Sequence, residues 1–345
     1  MLPWLEPVWL NLLQAWHHLP HAVLLAAPAG LGSRDLAEAL AARLLCARPP
    51  AQGVACDHCP ACRLRLQASH PDLFRIVPES EQEEGAASKT VAAEEGRGSS
   101  QIVIARIRVL QQELTLTGSQ GNIRAVIVDP AEAMNAYTAN ALLKLLEEPP
   151  SGTYFILVSY DSQRLLPTVI SRCQQWRIHP PSAGQLQQWL QQQPELNTAL
   201  LAVSGGMPLE ALRLQQNGLA DFFVRFIQDV VMHKRIDAPV QLASSWNDWL
   251  RSKAAARQGG FDFSMLCDWM QRWLADLLMC KLGGEVRFFP QNSDNIHNLT
   301  GSLKMSVILN CYNEVSQIKF RARHPLNQQL AIEDMLLRYS KMLNG

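Results

Sequence analysis

The feature that most restricts the fold is a strand, a glycine-bearing turn and a helix in direct succession. The apolar run Val23-Leu24-Leu25-Ala26 leads into Ala27-Pro28-Ala29-Gly30-Leu31-Gly32-Ser33-Arg34, and residues 35–45 carry a helical pattern. This is the layout of a phosphate-binding loop, where backbone N–H groups at a helix start cradle phosphates. The working pattern G-x-x-x-x-G-K-[ST] would place its glycines at positions 27 and 32, its Lys at 33 and its hydroxyl at 34. The chain has Ala27, Gly32, Ser33 and Arg34 there, so only the second Gly is kept. Ser33 supplies no cation, and Arg34 supplies no metal ligand and opposes Mg²⁺ by its charge. From this stretch alone, an ordinary glycine turn before a helix fits equally well.

The rest of the chain repeats the alternation. Residues 73–77, 124–128 and 154–158 are short apolar runs that read as buried strands. Helical patterns lie between them, at residues 102–114 and 138–148, the latter stopped by Pro149-Pro150. Strands alternating with helices imply an α/β domain with a doubly wound parallel sheet. A helix over residues 3–19, carrying Trp4, Trp9, Leu12, Leu13 and Trp16, is expected to pack on it. After Pro180-Pro181 no strand pattern persists. Residues 182–217 read as a small helical unit, and 222–233, 263–282, 303–318 and 328–343 as long helices. Residues 79–100 are rich in Glu, Ala, Gly and Ser and are expected to form a mostly acidic surface loop.

Composition narrows the function classes. Lys plus Arg equals Asp plus Glu at 31 each in 345 residues, a net charge of zero, which argues against nucleic-acid binding by bulk electrostatics alone. No apolar run approaches the roughly 20 residues of a membrane span, so no membrane is expected. The first seven residues lack a charged n-region, which argues against a signal peptide.

The strongest local signal is Cys46-x9-Cys56-x2-Cys59-x2-Cys62. Four thiolates suit a tetrahedral structural zinc, and a closed shell leaves no open catalytic position. Clustered cysteines in a chain of this kind also suggest a reducing, cytoplasmic setting. Cys173, Cys267, Cys280 and Cys311 are scattered and read as small core hydrophobes. Asp129, closing the run Val126-Ile127-Val128, is placed like an acid that holds Mg²⁺. The next residue, however, is Pro130, and the nearest acid is Glu132. Asp129 is therefore expected to cap a helix, with Pro130 in its first turn.

Three further stretches bring a family into view. Asn140-Ala141-Leu142-Leu143-Lys144-Leu145-Leu146-Glu147-Glu148-Pro149-Pro150 resembles a hallmark of clamp-loader AAA+ subunits. Ser171-Arg172-Cys173 resembles the Ser-Arg-Cys motif of that family. The four cysteines sit where bacterial clamp-loader subunits carry a zinc module. The resemblance runs from about Pro3 through Trp176 and returns weakly at residues 330–337. Two departures stand out: residues 79–100 look like an insertion, and Pro208 stands where related ATPases place a nucleotide-sensing Arg.

The resemblance implies an AAA+ P-loop-like α/β domain at 1–180, with a zinc module at 46–62 and the acidic loop at 79–100. A small helical lid at 181–217 and an all-helical C-terminal collar at 218–345 would follow. It implies a clamp-loader subunit of DNA polymerase III that hydrolyses no ATP of its own. In a hetero-oligomer with gamma/tau and delta type subunits, it would help load a sliding clamp on primed DNA. Arg172 would act in trans as an arginine finger on a neighbour's ATP, with Ser171 and Cys173 positioning it. From the tripeptide alone, a surface Arg at a helix end fits as well. Cys46, Cys56, Cys59 and Cys62 would hold the zinc. The rival readings are an active gamma/tau-type ATPase, opposed by Ser33, Arg34 and Pro130, and a zinc-dependent nucleic-acid-binding protein, opposed by net neutrality.

Overall fold

The computed structural model describes residues 1–78, 89–90, 100–115, 123–232, 236, 238–251, 263–321 and 328–344. They fall into two compact units, residues 1–192 and 193–345.

The first unit is built on a sheet whose strands are all parallel. The strands are β1 (Ala22–Ala26), β2 (Leu73–Ile76), β3 (Lys89–Thr90), β4 (Arg124–Val128), β5 (Thr153–Ser159) and β6 (Gln174–Arg177). Their spatial order is β3-β2-β4-β5-β1-β6. Every neighbouring pair runs parallel, with Leu24 level with Leu157 and Val126 level with Phe155. Parallel neighbours require crossovers, and the helices between the strands supply them. Both faces of the central strands are therefore covered, which is why they read as continuous apolar runs. Leu24, Val126, Phe155 and Leu157 pack with Ile107, Leu110, Leu142 and Leu146 in one buried cluster. Helix α2 (Ser33–Leu45) packs against β4 and β5 and buries Leu36, Leu40 and Leu44.

Helix α1 (Glu6–Gln14) precedes β1, and α3 (Pro60–Leu66) follows α2. Helix α4 (Ile104–Thr115) precedes β4, and α5 (Ala136–Glu147) follows it. Helix α5 starts where the Asn135 side chain accepts from the Thr138 backbone N–H at 2.9 Å, a cap of about 1 kcal/mol. Its Leu142, Leu145 and Leu146 are buried, as the spacing predicts. Helix α6 (Pro167–Ile170) leads into β6, and α7 (Ala183–Leu190) closes the unit. Trp189 of α7 meets Trp4 edge-on at 5.8 Å, and Gln185 Nε2 donates to the Pro3 carbonyl at 3.1 Å. The expected acidic loop lies outside the described residues, apart from Ser100 and the Lys89–Thr90 strand at the sheet edge.

The second unit is helical throughout its described residues. Its elements are α8 (Thr198–Val203), α9 (Pro208–Gln216), α10 (Ala220–Phe226), α11 (Pro239–Arg251), α12 (Phe263–Lys281), α13 (Ser293–Ser302), α14 (Met305–Arg321) and α15 (Gln328–Asn344). Phe222, Phe223, Phe226, Trp246, Trp269 and Phe289 form an aromatic core with several ring centroids 5.0–6.1 Å apart. Helix α10 continues into a π-turn at Ile227–Val231. There the wholly buried Tyr339 hydroxyl donates to the Val230 carbonyl at 3.3 Å and accepts from Trp273 Nε1 at 2.8 Å. Among the described residues, no helix is long and apolar enough to cross a membrane.

Candidate functional site

The degenerate loop keeps its glycine geometry and its place. Gly30 and Gly32 both have positive φ, +87° and +85°, which L side chains rarely adopt. Space reinforces the requirement at Gly32. An added Cβ there would lie 2.8 Å from Leu2 Cδ1 and 3.1 Å from Leu5 Cδ1. The N-terminal residues thus lie against the turn. Leu5 and Leu31 are fully buried, and Trp4 Nε1 donates to the Leu31 carbonyl at 2.8 Å. Ser33, at the position of the missing Lys, is buried as well.

The expected cap at Asp129 is corrected by the structure. The Arg34 guanidinium forms an ion pair with the Asp129 carboxylate, which is almost completely buried. The short 3-10 turn Ala131–Ala133 has no side-chain cap, and Pro130 precedes it in extended conformation after a cis peptide bond. Asp129 is thus an ion-pair partner, and Pro130 does not begin an α-helix. The physical reason is that the parallel register sets the end of β4 beside the start of α2, so an unscreened buried carboxylate takes the nearest cation. Glu132, the nearest alternative acid, accepts from the backbone N–H groups of Tyr160 and Asp161 at 2.9 and 3.1 Å. Burial pushes the Asp35 carboxyl upward, against the opposing pull of Arg34.

The four cysteines converge. Cys46 follows α2, Cys59 caps α3, and Cys62 lies in the first turn of α3. Asp57 turns the knuckle between Cys56 and Cys59 with φ of +58°, and Arg65 holds its carboxylate at 2.7 Å. All four Sγ atoms lie within 4.8 Å of one another, and Cys56 and Cys62 Sγ are 4.0 Å apart. A tetrahedron with metal–sulfur bonds of about 2.3 Å has an edge of about 3.8 Å, so the four can hold a metal ion. The thiols shift in opposite directions. Burial pushes the Cys59 thiol up, but the backbone N–H groups of Cys62 and Ala47 and the neighbouring thiols outweigh it, and it falls to about 6. Burial and the Cys59 and Cys46 thiols push Cys62 up to about 12.

Arg172 stands apart from the cysteines. It follows α6, with Ser171 at the helix end and Cys173 buried before β6. Arg172 Nε donates to Glu147 Oε1 at 2.7 Å, and Nη2 pairs with the same oxygen. Nη1 donates to the Thr168 carbonyl at 3.0 Å and to Ser171 Oγ at 3.3 Å. Burial pushes the Cys173 thiol up to about 12, so it is a packed, unreactive thiol. Cys267 and Cys311 are buried too, and Cys280 is half-buried. Pro208 opens α9 after Gly205 and Gly206, both with positive φ.

Sequence reasoning missed two features of this region: the Arg34–Asp129 pair and the apolar cover from Leu2, Trp4 and Leu5. The first left a signal. Positions 34 and 129 are the two that would contact one Mg²⁺ in a working site. Position 34 carries a cation here, and it pairs with the remaining acid.

Comparison with known proteins bears on this constellation. The model of the family described as "DNA polymerase III, delta subunit" matches residues 9–182, and that of its C-terminal part matches residues 239–341. A protein of Pseudomonas aeruginosa described as DNA polymerase III subunit delta′ is 36% identical over 286 residues, covering 81% of this chain and 78% of that protein. The chain belongs to the DNA polymerase III delta′ family. The delta′ subunit of Haemophilus influenzae is 30% identical over 290 residues, covering 82% of this chain and 78% of its own. That of Escherichia coli is 31% identical over 220 residues, covering 62% and 60%. The first family match includes the degenerate loop, the four cysteines and Arg172.

Proposed function

We propose that this chain is the delta′ subunit of the DNA polymerase III clamp loader, acting as a stator that handles no ATP of its own. In a cytoplasmic hetero-oligomer with gamma/tau and delta type subunits, it helps load the sliding clamp on primed DNA. It completes a neighbour's ATP site through Arg172. The observation that carries this reading is the Arg34–Asp129 pair. The cation is bonded to the chain itself, on the acid that would otherwise hold Mg²⁺. Leu2 and Leu5 lie over the turn that would cradle phosphate.

Arg172 presents a guanidinium at the end of a short helix with its side chain 35% exposed. Such a group, set against a neighbour's γ-phosphate, stabilises charge developing in the transition state and is worth about 10³–10⁵ in rate. The metal held by Cys46, Cys56, Cys59 and Cys62 is a structural zinc, because four thiolates close a tetrahedral shell. Residues 181–217 act as the lid and 218–345 as the oligomerising collar. Exposed Met305, Leu309 and Phe320 on α14 and Leu330 and Leu337 on α15 offer that collar apolar surface.

Two measurements test the proposal. Titration of the isolated chain with labelled Mg-ATP should show no micromolar binding. In a reconstituted complex, Arg172→Ala should depress DNA-stimulated ATP hydrolysis. Unchanged turnover, or tight ATP binding by the isolated chain, would sink the reading.

A further inference from the structure

Glu147 is the last residue of α5, at an end where the helix dipole favours cations and disfavours acids. Local helix energetics therefore give no reason for a carboxylate there. Nor does stability. Its side chain is 48% exposed and that of Arg172 is 35% exposed, and ion pairs in that setting contribute little to folding. What the placement does achieve is geometric. The backbone of α5 is fixed by the buried Leu142, Leu145 and Leu146 on one side and stopped by Pro149-Pro150 on the other. Glu147 is thus a carboxylate on a rigid shelf.

The Arg172 guanidinium lies against that shelf. Nε and Nη2 both turn to Glu147 Oε1, while Nη1 is held by the Thr168 carbonyl and Ser171 Oγ. The long side chain is gripped along one edge and at one tip. The second Nη2 N–H has no partner among the described residues and remains to reach a ligand. A fork gripped in this way is oriented before any partner arrives.

We infer that Glu147 is a positioning residue that orients the Arg172 guanidinium for the phosphate of a neighbouring subunit. The inference rests on the proposed role of Arg172 in trans. Orientation is where such a residue acts, since misplacement of a catalytic group by about 1 Å can lower a rate by about 100-fold. Ground-state binding of nucleotide by the neighbour does not depend on Glu147, so the effect falls on kcat and leaves KM alone.

The test uses a reconstituted complex in which the ATP site adjoining this chain is the one left competent for hydrolysis. Glu147→Ala should lower kcat by about 10- to 100-fold, with KM for ATP and the thermal midpoint of the isolated chain unchanged. Glu147→Gln should recover most of the loss, because its amide oxygen still accepts from Nε and Nη2. In an Arg172→Ala background, Glu147→Ala should cause no further loss, because its effect passes through Arg172. Wild-type or raised turnover in Glu147→Ala overturns the inference. So does a Glu147→Ala loss that persists in the Arg172→Ala background, or a Glu147→Gln variant as slow as Glu147→Ala. If Arg172→Ala itself leaves turnover unchanged, the reading beneath falls as well, and the two failures are thereby told apart.

Discussion

Replacing Arg34 with Met takes the cation away from a buried carboxylate, Asp129, while keeping most of the apolar stem. The magnitude follows from the surroundings of the pair. The Asp129 side chain is 3% exposed and that of Arg34 is 53% exposed. Two unit charges about 4 Å apart at an effective dielectric near 20 attract by about 4 kcal/mol. Water can enter from the exposed Arg34 side and solvate part of what is left, so the full attraction is not lost. Arg34 also lies in the first turn of α2, where the helix dipole disfavours a cation by about 0.5 kcal/mol. The net expectation is a loss of about 2 kcal/mol, in the range of a hydrogen bond to a charged group. The Arg75–Glu38 pair is the internal control. Its two hydrogen bonds, at 2.6 and 2.7 Å, join partly exposed partners, and Arg75→Met should cost under about 1 kcal/mol. Adding Asp129→Asn to Arg34→Met removes the buried charge and should restore about 1–2 kcal/mol of coupling. Because the chain has two compact units, a global melt would mix their transitions. Native-state hydrogen exchange at the amides of β1, β4 and β5 reads the first unit alone. The reasoning is refuted if Arg34→Met costs no more than Arg75→Met, or if the double variant loses the sum of the single losses.

Chelation should unfold the residues around the cysteines while leaving the sheet folded. Cys46, Cys59 and Cys62 form a cluster of their own, packed with Ala55, Cys56 and Ala61, and apart from Arg43 and Trp9, which bond the carbonyls of residues 50–53, few contacts tie it to the sheet. A metal at 1,000 times its Kd stabilises by about 4 kcal/mol. The expectation is one zinc per chain by elemental analysis and exchange protection lost at residues 47–66 but kept in β1 and β5; loss in both would refute it. In the second unit, the buried Asp276 accepts from the backbone N–H groups of Arg287, Phe288 and Phe289 at 2.8–2.9 Å. Burial raises its carboxyl above the ordinary range, against the pull of those N–H groups and of Arg287. The folded state thus holds the proton more tightly than the unfolded chain. That stabilisation is fully present below the unfolded pKa of about 3.9 and is lost as pH rises through the elevated folded value. Asp276→Asn should remove this slope and, with one acceptor oxygen in place of two, cost about 1–2 kcal/mol. Native-state hydrogen exchange at the amides of α12, followed in the parent and the variant at several pH values, checks it, and an identical pH slope would refute it.

What the sequence made legible is what is repeated or local. The apolar runs at β1, β4 and β5 announce strands covered on both faces, and the cysteine spacing announces a knuckle. Strand β6 is different. Gln174-Gln175-Trp176-Arg177 has no apolar alternation, and its residues are mostly exposed. It is a strand because β1 offers a free parallel ladder, and Gln174 through Arg177 run level with Val23 through Ala26. Helix α13 hides in the same way, since Ser293–Ser302 is polar and buries only Ile296, Leu299 and Thr300. The candidate site divides along this line. Each half of the Arg34–Asp129 pair is visible as a local departure from a phosphate-binding pattern, but 95 positions separate them. Read singly, Arg34 is a lost metal ligand and Asp129 a helix cap. The sheet brings them together and gives both a cause. An acid at the end of β4 needs a cation beside it, and once the chain supplies a guanidinium from α2, a metal–nucleotide there would have to displace a bonded charge. The loop carries no Lys, and Gly32 is required all the same, because Leu2 and Leu5 pack where a side chain would stand.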